Sequence, residues 1–573
     1  MLDEINTFDY IIVGVTVLVV ENGHVDNNSK TQIPRDVADF QNITEWWNVT
    51  STPVEHLGSA IFNVNMASVV GGGSVVNGMA ADRGSKADYD AWEALGNEGW
   101  GWDGLFPYFR RSTNFTPPLP DIADSFDIVW DPEDYGQGPL QIGFPSIQYP
   151  DLRNITAALG SHGILTSNKP ASGDAFGLIW MPNTLDVQSG TRCHARVAYY
   201  DPVADRPNLH LATGEQVLEI LFQSPGLIAI GVNMESREDG KLRKAYARKE
   251  VILAAGAIST PKLLQLSGIG PMKVIANAGV ELKKDLPAVG ANFQDHPSAY
   301  MTWNFSNLQF PNINLIYTNA TYNESAWEEY VTNHIGPYTT ATGNVAVFLP
   351  LSQLLPSSEV FIGKMKQQKA PDYLPSIYND KNLLRGFEAQ RDILINHFSS
   401  MDSAVAEFPI PPASPPTVVV IEKPLSRGTV TLDPLNPRGQ PIVQYNTLMN
   451  PVDQELLLAM IRYLRDFNYD PLLAGYKPLE IVPGAAARTD EEVMTALVAA
   501  GRISPSFAHP SGTCAMMPAG MGGCVGSDLL VYGTKRLSVV DAPIMPLIPA
   551  THLQTTVYAV AEKASDIIKS RAS

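Results

Sequence analysis

The stretch Ala67–Asp90, which reads ASVVGGGSVVNGMAADRGSKADYD, carries the most specific pattern in this chain. Four consecutive small residues, Gly71 to Ser74, remove the side chains that would otherwise keep a ligand away from the backbone. Asn77 and an Arg-Gly turn at Arg83–Gly84 follow this loop. A glycine-rich loop alone is weak evidence of a site, so its meaning depends on the segments around it.

Outward from this loop, three segments are typical of α/β units. Phe8–Gly14 is predicted to be a buried strand that ends in glycine. Glu250–Gly270 is predicted to be a strand followed by a helix, with Thr260 as its cap, Pro261 at its first position and Gly268 at its end. Strand-turn-helix units of this kind predict a parallel sheet covered by helices.

The third segment, Leu537–Lys569, is predicted to be a strand, a proline-rich loop and a helix. The apolar residues of one face of that helix are Leu553, Val557, Val560, Ala564 and Ile567. Residues 417–465 repeat the order of strand then helix, whereas residues 300–420 are less periodic. We therefore expect the middle of the chain to form a separate layer that faces the substrate.

The Ala67–Asn77 loop resembles the first signature of the glucose–methanol–choline (GMC) oxidoreductase family, except that Ser68 stands where the family usually has a basic residue. Gly256–Gly270, GAISTPKLLQLSGIG, resembles the second signature without departure. Two such matches, in the right order and far apart, are very improbable by chance. The segments Gly96–Phe109, Val289–Pro297 and Ser426–Leu432 also resemble family landmarks, and the resemblance extends from Phe8 to Ile568.

This resemblance implies a mixed α/β fold, with a Rossmann-like FAD-binding domain and a discontinuous substrate-binding domain built on an antiparallel sheet. We expect residues 1–297 to be mainly FAD-binding and residues 298–416 to form the substrate-binding or cap region. Residues 417–495 would belong to the substrate domain, and residues 496–573 would return to the FAD domain with the catalytic histidines.

Two histidines carry the chemistry that the resemblance implies. His509 opens HPSGTCAM and matches the general base of the family, and His552 in IPATHLQ matches the residue that hydrogen-bonds the same substrate oxygen. Neutral imidazole can accept a proton near neutral pH. Because His552 precedes a helix whose positive end disfavours imidazolium, we expect its pKa to be lowered. His296, in QDHP, is expected to be structural, and no metal is predicted, since no metal-ligand motif occurs.

The resemblance further implies FAD as the cofactor and a small organic alcohol or lactol as the substrate. Because the chain's ending is similar to that of fungal family members of secondary metabolism, we expect the substrate to belong to secondary metabolism. The residue at His509 would take the hydroxyl proton while a hydride passes to flavin N5. The residues expected to bind the cofactor are Gly14, Glu21, Val70, Gly71, Gly72, Gly73, Ser74, Asn77, Gly78, Met79, Ala80, Val217, Asp541, Ala542 and Leu553.

The pattern breaks at the first nucleotide-binding unit. The chain reads FDYIIVG-VTVLVVENG, so Gly14 joins Val15 directly, without the G-x-G-x-x-G loop and helix that a family member should have. Glu21 resembles the ribose-binding acid but lies seven residues past Gly14, where about 20 is usual. Since parallel neighbours need a crossover, we expect a hairpin, a bend within one long strand or a rearrangement.

Two explanations of this break remain open. Either the sequence as read lacks a short exon, which the persistence of every other cofactor-side motif favours, or the chain is made as printed and its flavin chemistry is lost or altered. In the second case the missing glycines no longer hold the pyrophosphate at a helix N-terminus, and FAD affinity should fall sharply. The alternative functions are then a non-redox dehydrative cyclase on the same scaffold or an inactive binding protein.

Composition limits the partners. The net charge of −19 disfavours nucleic acid and anionic membranes. The longest apolar run, Phe8–Val20, is too short to span a bilayer and lacks the basic residues of a signal peptide. Eight Asn-x-Ser/Thr sequons, at Asn27, Asn42, Asn48, Asn114, Asn154, Asn304, Asn319 and Asn323, nevertheless favour the secretory pathway. A Cys514–Cys524 bridge is left open, and the sequence does not indicate the oligomeric state.

Overall fold

The computed structural model describes residues 7–11, 16–38 and 46–572. Gly14, the end of the expected first strand and the sequon at Asn42 lie outside these residues. In the described ranges, two large sheets organise the chain, and no helix is long and apolar enough to cross a bilayer.

The strands are β1 Thr7–Ile11, β2 Val17–Glu21, β3 Thr113–Thr116, β4 Leu140–Gly143, β5 Gly177–Trp180, β6 Leu185–Asp186, β7 Thr191–Arg192, β8 Leu209–Thr213, β9 Glu215–Gln223, β10 Ile228–Ser236, β11 Leu242–Leu253, β12 Ile269–Gly270, β13 Lys284–Asp285, β14 Ser298–Tyr300, β15 Thr302–Asn304, β16 Val345–Leu349, β17 Ala406–Ile410, β18 Val418–Ile421, β19 Thr429–Thr431, β20 Ile442–Gln444, β21 Leu479–Val482, β22 Ile503–Ser504 and β23 Leu537–Val539.

The α-helices are α1 Ser29–Gln32, α2 Lys86–Ala94, α3 Trp102–Ser112, α4 Pro120–Phe126, α5 Asp151–Ser161, α6 Gly256–Leu266, α7 Met272–Asn277, α8 Leu315–Thr318, α9 Ala320–Asn333, α10 Leu351–Leu354, α11 Ser358–Gln367, α12 Lys381–Ser399, α13 Pro451–Asn468, α14 Asp490–Ala499 and α15 Gln554–Ala572.

The first sheet is mixed and has the strand order β8-β2-β1-β11-β10-β9, with β23 beside the end of β11. Strands β8, β2, β1, β11 and β23 are joined by parallel pairings, and β9, β10 and β11 form an antiparallel meander. Val251–Leu253 of β11 pair with all three residues of β23. This pairing draws the C-terminal part of the chain onto the predicted FAD domain.

Strands β1 and β2 are parallel neighbours that meet at one residue pair, Tyr10 and Val17. The backbone amides of Asp9 and Tyr10 also donate to the Thr16 carbonyl, at 3.0 and 3.2 Å. Of the three expected outcomes, a hairpin and one bent strand are therefore wrong, which leaves the third, a rearrangement. The reason is that each strand takes its register from its other neighbour, β11 for β1 and β8 for β2, rather than from the short link between them.

The second sheet is antiparallel, with the order β22-β14-β18-β17-β16-β5, which confirms the predicted antiparallel sheet, and its substrate-binding role stays a prediction. Its strands come from widely separated parts of the chain, as a discontinuous domain requires. Every residue of β16, VAVFL, is buried, because helices or other chain segments cover both faces of the sheet there. The domain boundaries given above stay predictions.

Helix α6 differs from its prediction at the start. It begins at Gly256 with Ala255 as its cap, so Thr260 and Pro261 lie inside the helix. Pro261 has no N–H for the carbonyl four residues before it, that of Ala257. The Thr513 hydroxyl donates to this carbonyl instead, at 2.6 Å. A side chain from another part of the sequence thus satisfies the group that proline leaves open, which local sequence rules could not anticipate.

Cys514 and Cys524 form a disulfide with a Cα–Cα distance of 4.9 Å, and Cys193 is free and buried. Both bridged residues are fully buried, just beyond His509 in the chain. The two cysteines are ten residues apart, and closing the loop between them lowers the conformational entropy of the unfolded chain. In the loop-entropy description this raises the free energy of unfolding by about 2–3 kcal/mol. The bridge that the sequence left open is therefore part of the fold.

We predict that the double variant Cys514→Ala/Cys524→Ala loses about 2–3 kcal/mol in the free energy of unfolding, because the loop constraint is removed. Urea unfolding followed by tryptophan fluorescence measures this loss. Cys193→Ala is the matched control, since it removes a buried sulfur but no covalent link, and it should cost less. Equal losses in the double variant and the control would show that the bridge adds no stability.

Candidate active site

His509 is held in place by the buried carboxylate of Asp295. This carboxylate accepts hydrogen bonds from the backbone amides of His509 at 3.0 Å, His296 at 2.8 Å and Phe507 at 3.2 Å. The hydroxyl of Ser506 donates to it at 2.6 Å. Burial raises the pKa of Asp295 to about 7, against these hydrogen bonds. Asp295 therefore joins the segment that contains His296 to the loop that contains His509.

His552 lies just before helix α15 and is fixed by Asp82. Its Nδ1 lies 3.1 Å from Asp82 Oδ1, and its Nε2 lies 3.7 Å from Glu407 Oε1. The Thr551 hydroxyl donates to Asp82 Oδ2 at 2.8 Å, which orients the carboxylate. Two acidic side chains from distant parts of the sequence therefore flank this imidazole.

The expected lowering of the pKa of His552 is wrong. Burial alone would lower it, but the negative charges of Asp82 and Glu407, with the hydrogen bond to Asp82, raise the pKa of His552 to about 9. A charge in contact with the ring outweighs the partial charge at a helix end, which is worth only about 0.3–1 kcal/mol at most exposed sites. His552 is thus an imidazolium at neutral pH.

The rings of His509 and His552 lie close together and nearly perpendicular, with centroids 5.5 Å apart and planes at 87°. Burial, together with the neighbouring His296 and His552, holds the pKa of His509 well below its usual value. The ring of Phe507 contacts both, at 5.6 and 6.1 Å between centroids. The site therefore combines a neutral imidazole and a charged one beside an apolar wall.

His296, which we expected to be structural, lies inside this cluster. Its Nδ1 is 2.9 Å from the Nδ1 of His509, and its Nε2 is 3.6 Å from Glu422 Oε2. The ring is fully buried. Its position in QDHP, within a family landmark, was the available signal, but the sequence does not indicate which loop would face it.

Glu407 and Glu422 are two further residues that the sequence did not single out. Both side chains are fully buried, and their carboxyl oxygens lack a well-formed hydrogen bond to any described donor. Burial raises the pKa of Glu407 to about 7, although the charge of His552 opposes this. Burial and the charge of Glu407 raise the pKa of Glu422 further. The pair therefore favours a state in which it holds at least one proton.

The glycine loop presents bare backbone to open space. Gly71 has φ 107° and Gly72 has φ 57°, and a Cβ at Gly72 or Gly73 would meet no atom within 4 Å. The Ser74 hydroxyl donates to the Gly71 carbonyl at 2.6 Å and so closes the turn, while Val70 is buried beneath it. Such a loop leaves room for a large ligand to approach the backbone closely.

Arg192, which the sequence did not single out, anchors this loop from behind. Its guanidinium donates to the Ser74 carbonyl at 3.1 Å, to the side chain of Asn77 at 2.6 Å and to the Asn77 carbonyl at 2.7 Å. Burial lowers the pKa of Arg192 to about 9. These bonds fix the segment from Ser74 to Asn77, directly after the open glycines.

The segment from Asn77 to Ala80 is tied to the start of helix α15. Asn77 donates to the Gln554 side chain at 2.8 Å, and Gln554 donates in turn to the Ala80 carbonyl. The carbonyl of Gly78 accepts from the Thr342 hydroxyl at 3.1 Å. Met79, fully buried, has φ 70°. Since His552 and the buried Leu553 directly precede Gln554, the segment from Asn77 to Ala80, which we expect to bind the cofactor, and His552 share one support.

Asp541 offers a buried acceptor with a free oxygen. Its Oδ2 accepts the backbone amide of Gly256 at 2.6 Å, while Oδ1 is buried without a hydrogen-bond partner among the described residues. Burial raises the pKa of Asp541 to about 7. The next residue, Ala542, starts a short helical turn, and its carbonyl accepts a hydrogen bond from the Gly512 amide at 3.1 Å. An orphaned oxygen at the end of β23 is consistent with a polar ligand at this edge.

Glu21 ends strand β2, where an acidic residue can reach a ribose. Its Oε1 accepts the amide of Gly23 at 2.7 Å, and burial raises its pKa. A Cβ on Gly23 would overlap the Ser68 carbonyl, so this strand end packs directly on the glycine-loop segment. Val217 lies in strand β9, paired with Met234. These features fit FAD, whereas the residues printed between β1 and β2 supply no glycine-rich loop.

Comparison with known proteins identifies the family. Residues 9–298 and 424–561 match the two GMC oxidoreductase family models, N-terminal and C-terminal. The chain is 34% identical to the dehydrogenase xptC of Emericella nidulans, over 97% of this chain and 89% of that protein. It is 29% identical to the GMC oxidoreductase family protein Mala s 12 of Malassezia sympodialis, over 97% and 88%.

Solved structures give the same result. An FAD-dependent oxidoreductase from Chaetomium thermophilum superposes with a TM-score of 0.93 at 36% identity, over 97% of this chain and 95% of that one. A fungal aryl-alcohol oxidase gives a TM-score of 0.89 at 35% identity, over 96% and 94%. With its two sheets, its glycine loop and these relatives, the chain belongs to the GMC oxidoreductase family of FAD-dependent enzymes.

Proposed function

We propose that this enzyme oxidises the CH–OH group of a small organic alcohol or lactol, with His509 as the base. The observation that carries this proposal is the pair of perpendicular imidazoles, 5.5 Å apart, whose surroundings favour opposite protonation states. Bound FAD supplies the hydride acceptor. A neutral base beside a fixed cation is the arrangement that removal of a hydroxyl proton needs, because the cation stabilises the alkoxide that develops.

The two imidazoles divide the work between them. The Nδ1 of His509 is occupied by His296, so this ring has Nε2 left for a substrate. The Nδ1 of His552 is occupied by Asp82, and its Nε2 proton is shared between Glu407 Oε1, 3.7 Å away, and the substrate oxygen. His509 accepts the hydroxyl proton, and His552 donates a charged hydrogen bond to the same oxygen. Phe507, in contact with both rings, excludes water from one side and suits an aromatic or otherwise apolar substrate.

The cofactor would be held by the open backbone of Gly72 and Gly73, the free oxygen of Asp541 and the acid at Glu21. Similarity to a fungal aryl-alcohol oxidase and to the dehydrogenase xptC supports an alcohol of fungal secondary metabolism as the substrate. A non-redox cyclisation of a hemiacetal is the alternative, favoured only by the missing glycine loop.

His509→Ala should lower the rate of flavin reduction by about 10²–10⁴-fold, since that is the usual contribution of a positioned base. Stopped-flow absorbance of the FAD-loaded enzyme with an aryl alcohol measures it. His334→Asn is the matched control: His334 is an exposed histidine at the end of α9 with φ 60°, which asparagine tolerates. Near-normal reduction in His509→Ala would refute the assignment of the base. Turnover of a hemiacetal by colourless protein would instead support the cyclase.

The rate of flavin reduction should fall as the pH rises through about 9, because His552 then loses the proton that stabilises the alkoxide. A raised pKa means that the charged form exists below 9 and disappears above it. Asp82→Asn removes the charge that holds this proton, so the alkaline limb should move to lower pH. A pH profile of the reduction rate in both proteins tests this. An unchanged limb in Asp82→Asn would contradict it.

We predict that the chain as printed retains FAD poorly, because no glycine loop follows β1 to hold the pyrophosphate. Inserting a G-x-G-x-x-G loop and helix between Gly14 and Val15 should raise FAD affinity by at least about tenfold, that is about 1.4 kcal/mol. Flavin-to-protein absorbance ratios after gel filtration and a fluorescence titration measure it. A Gly/Ser insert of equal length is the control. Stoichiometric FAD in the uninserted chain would contradict the prediction.

A further inference from the structure

A row of titratable side chains crosses the antiparallel sheet behind the histidine pair. Gln294 exchanges backbone hydrogen bonds with Ser511, at 3.1 and 2.9 Å, so two residues further along His296 lies opposite His509. Ser298 pairs with Val420, and Ile421 donates to the Pro297 carbonyl at 2.8 Å. The same register therefore places His296 opposite Glu422.

Glu407 extends the row onto the next strand. It pairs with Val420, while Glu422 donates its amide to the Val405 carbonyl at 3.0 Å. Because residues two apart on a strand share a face, Glu407 and Glu422 are diagonal neighbours on the same face of the sheet. The separations along the row are 2.9 Å for His509–His296 and 3.6 Å for His296–Glu422.

We infer that His296, Glu422 and Glu407 form a buried relay that carries the substrate proton away from His509 into the carboxyl pair. This inference rests on the proposed function, alcohol oxidation with His509 as the base. Apart from their contact with each other, the two fully buried carboxyl groups have no donor among the described residues nearer than the imidazoles of His296 and His552, at 3.6 and 3.7 Å, which leaves them able to take up a proton that arrives along the row. His296 Nε2 is likewise buried without a hydrogen-bond partner among the described residues.

The relay balances as a transfer of protons with no change of oxidation state. The substrate O–H bond breaks, and His509 Nε2 gains that proton while its Nδ1 proton moves to His296 Nδ1. The Nε2 proton of His296 then moves to Glu422 Oε2, and the proton already held by the pair moves to the Glu407 carboxylate. Both imidazoles end neutral with exchanged tautomers, and the pair has gained one proton. In the oxidative half-reaction the proton returns along the same row.

Other charged groups face the relay from every packed element. Glu407 faces His552 before α15, Asp82 before α2, Glu422 beside it, and Tyr300 on β14, whose pKa burial raises. Glu422 and His296 both face Lys423, whose ammonium is paired with the buried Asp88. Asp295 and Asp541, each with its pKa raised to about 7, are the groups whose titration could be mistaken for that of the pair.

The test is the pH dependence of flavin reduction in the FAD-loaded enzyme. In the wild type the rate should rise with pH through about 7, where Glu407 becomes a carboxylate that can accept the proton. Glu422→Gln should abolish this acid limb, because an amide cannot pass the proton on. Asp295→Asn and Asp541→Asn should each retain it, because neither carboxyl belongs to the row. An acid limb that persists in Glu422→Gln, or disappears in Asp295→Asn, would overturn the relay.

Two further variants separate the relay from a merely structural effect. His296→Gln interrupts the row and should slow flavin reduction by roughly 10²-fold, which is the usual rate contribution of a positioned proton-transfer group. The FAD content of this variant should be unchanged. Glu480→Gln, in a buried carboxylate that pairs with Arg465 at 2.7 Å, is the matched control and should leave the acid limb in place. Near-normal reduction in His296→Gln, with His509→Ala inactive, would refute the relay but not the proposed function. Normal reduction in His509→Ala would refute both.

Discussion

The alternation of side chains across the antiparallel sheet is the constraint on which the site depends. Because neighbours in register share a face, one sheet face receives His296, Glu422 and Glu407 from three different segments. A shift of one residue in any of these pairings would turn its side chain to the opposite face. The chemistry of the candidate active site therefore depends on strand register as much as on the identity of the histidines.

A second interaction joins this face to the FAD-binding half. Asp82 follows the glycine loop and His552 precedes the last helix, and their buried contact holds both the orientation and the charge of the imidazole. Removing one member of a buried charged pair typically costs about 3–5 kcal/mol, since the other is left uncompensated. The contact thus links the segment after the glycine loop to the protonation state of His552.

Sequence alone predicts the glycine loop at Gly71–Ser74, the final helix and the pairing of His509 with His552, because each is encoded in a contiguous motif. It misses the charge of His552, since Asp82 lies 470 residues away in the chain. It also misses His296, Glu407 and Glu422, which only strand pairing brings together. The prediction that α6 begins at Thr260 was wrong for the same reason. The Ala257 carbonyl, which Pro261 cannot bond, is satisfied by Thr513, far along the chain.

That hydrogen bond also limits how parts of this protein can be exchanged with those of relatives. Pro261 and Thr513 belong to different halves of the chain, yet the hydroxyl of the second donates to the backbone carbonyl that the first leaves without its usual helical donor. A chimera that joins the proline-containing half to a partner half with an aliphatic residue at the position of Thr513 would leave the Ala257 carbonyl in the first turn of α6 without this donor. Crossover points for recombining such enzymes should therefore keep the two residues together.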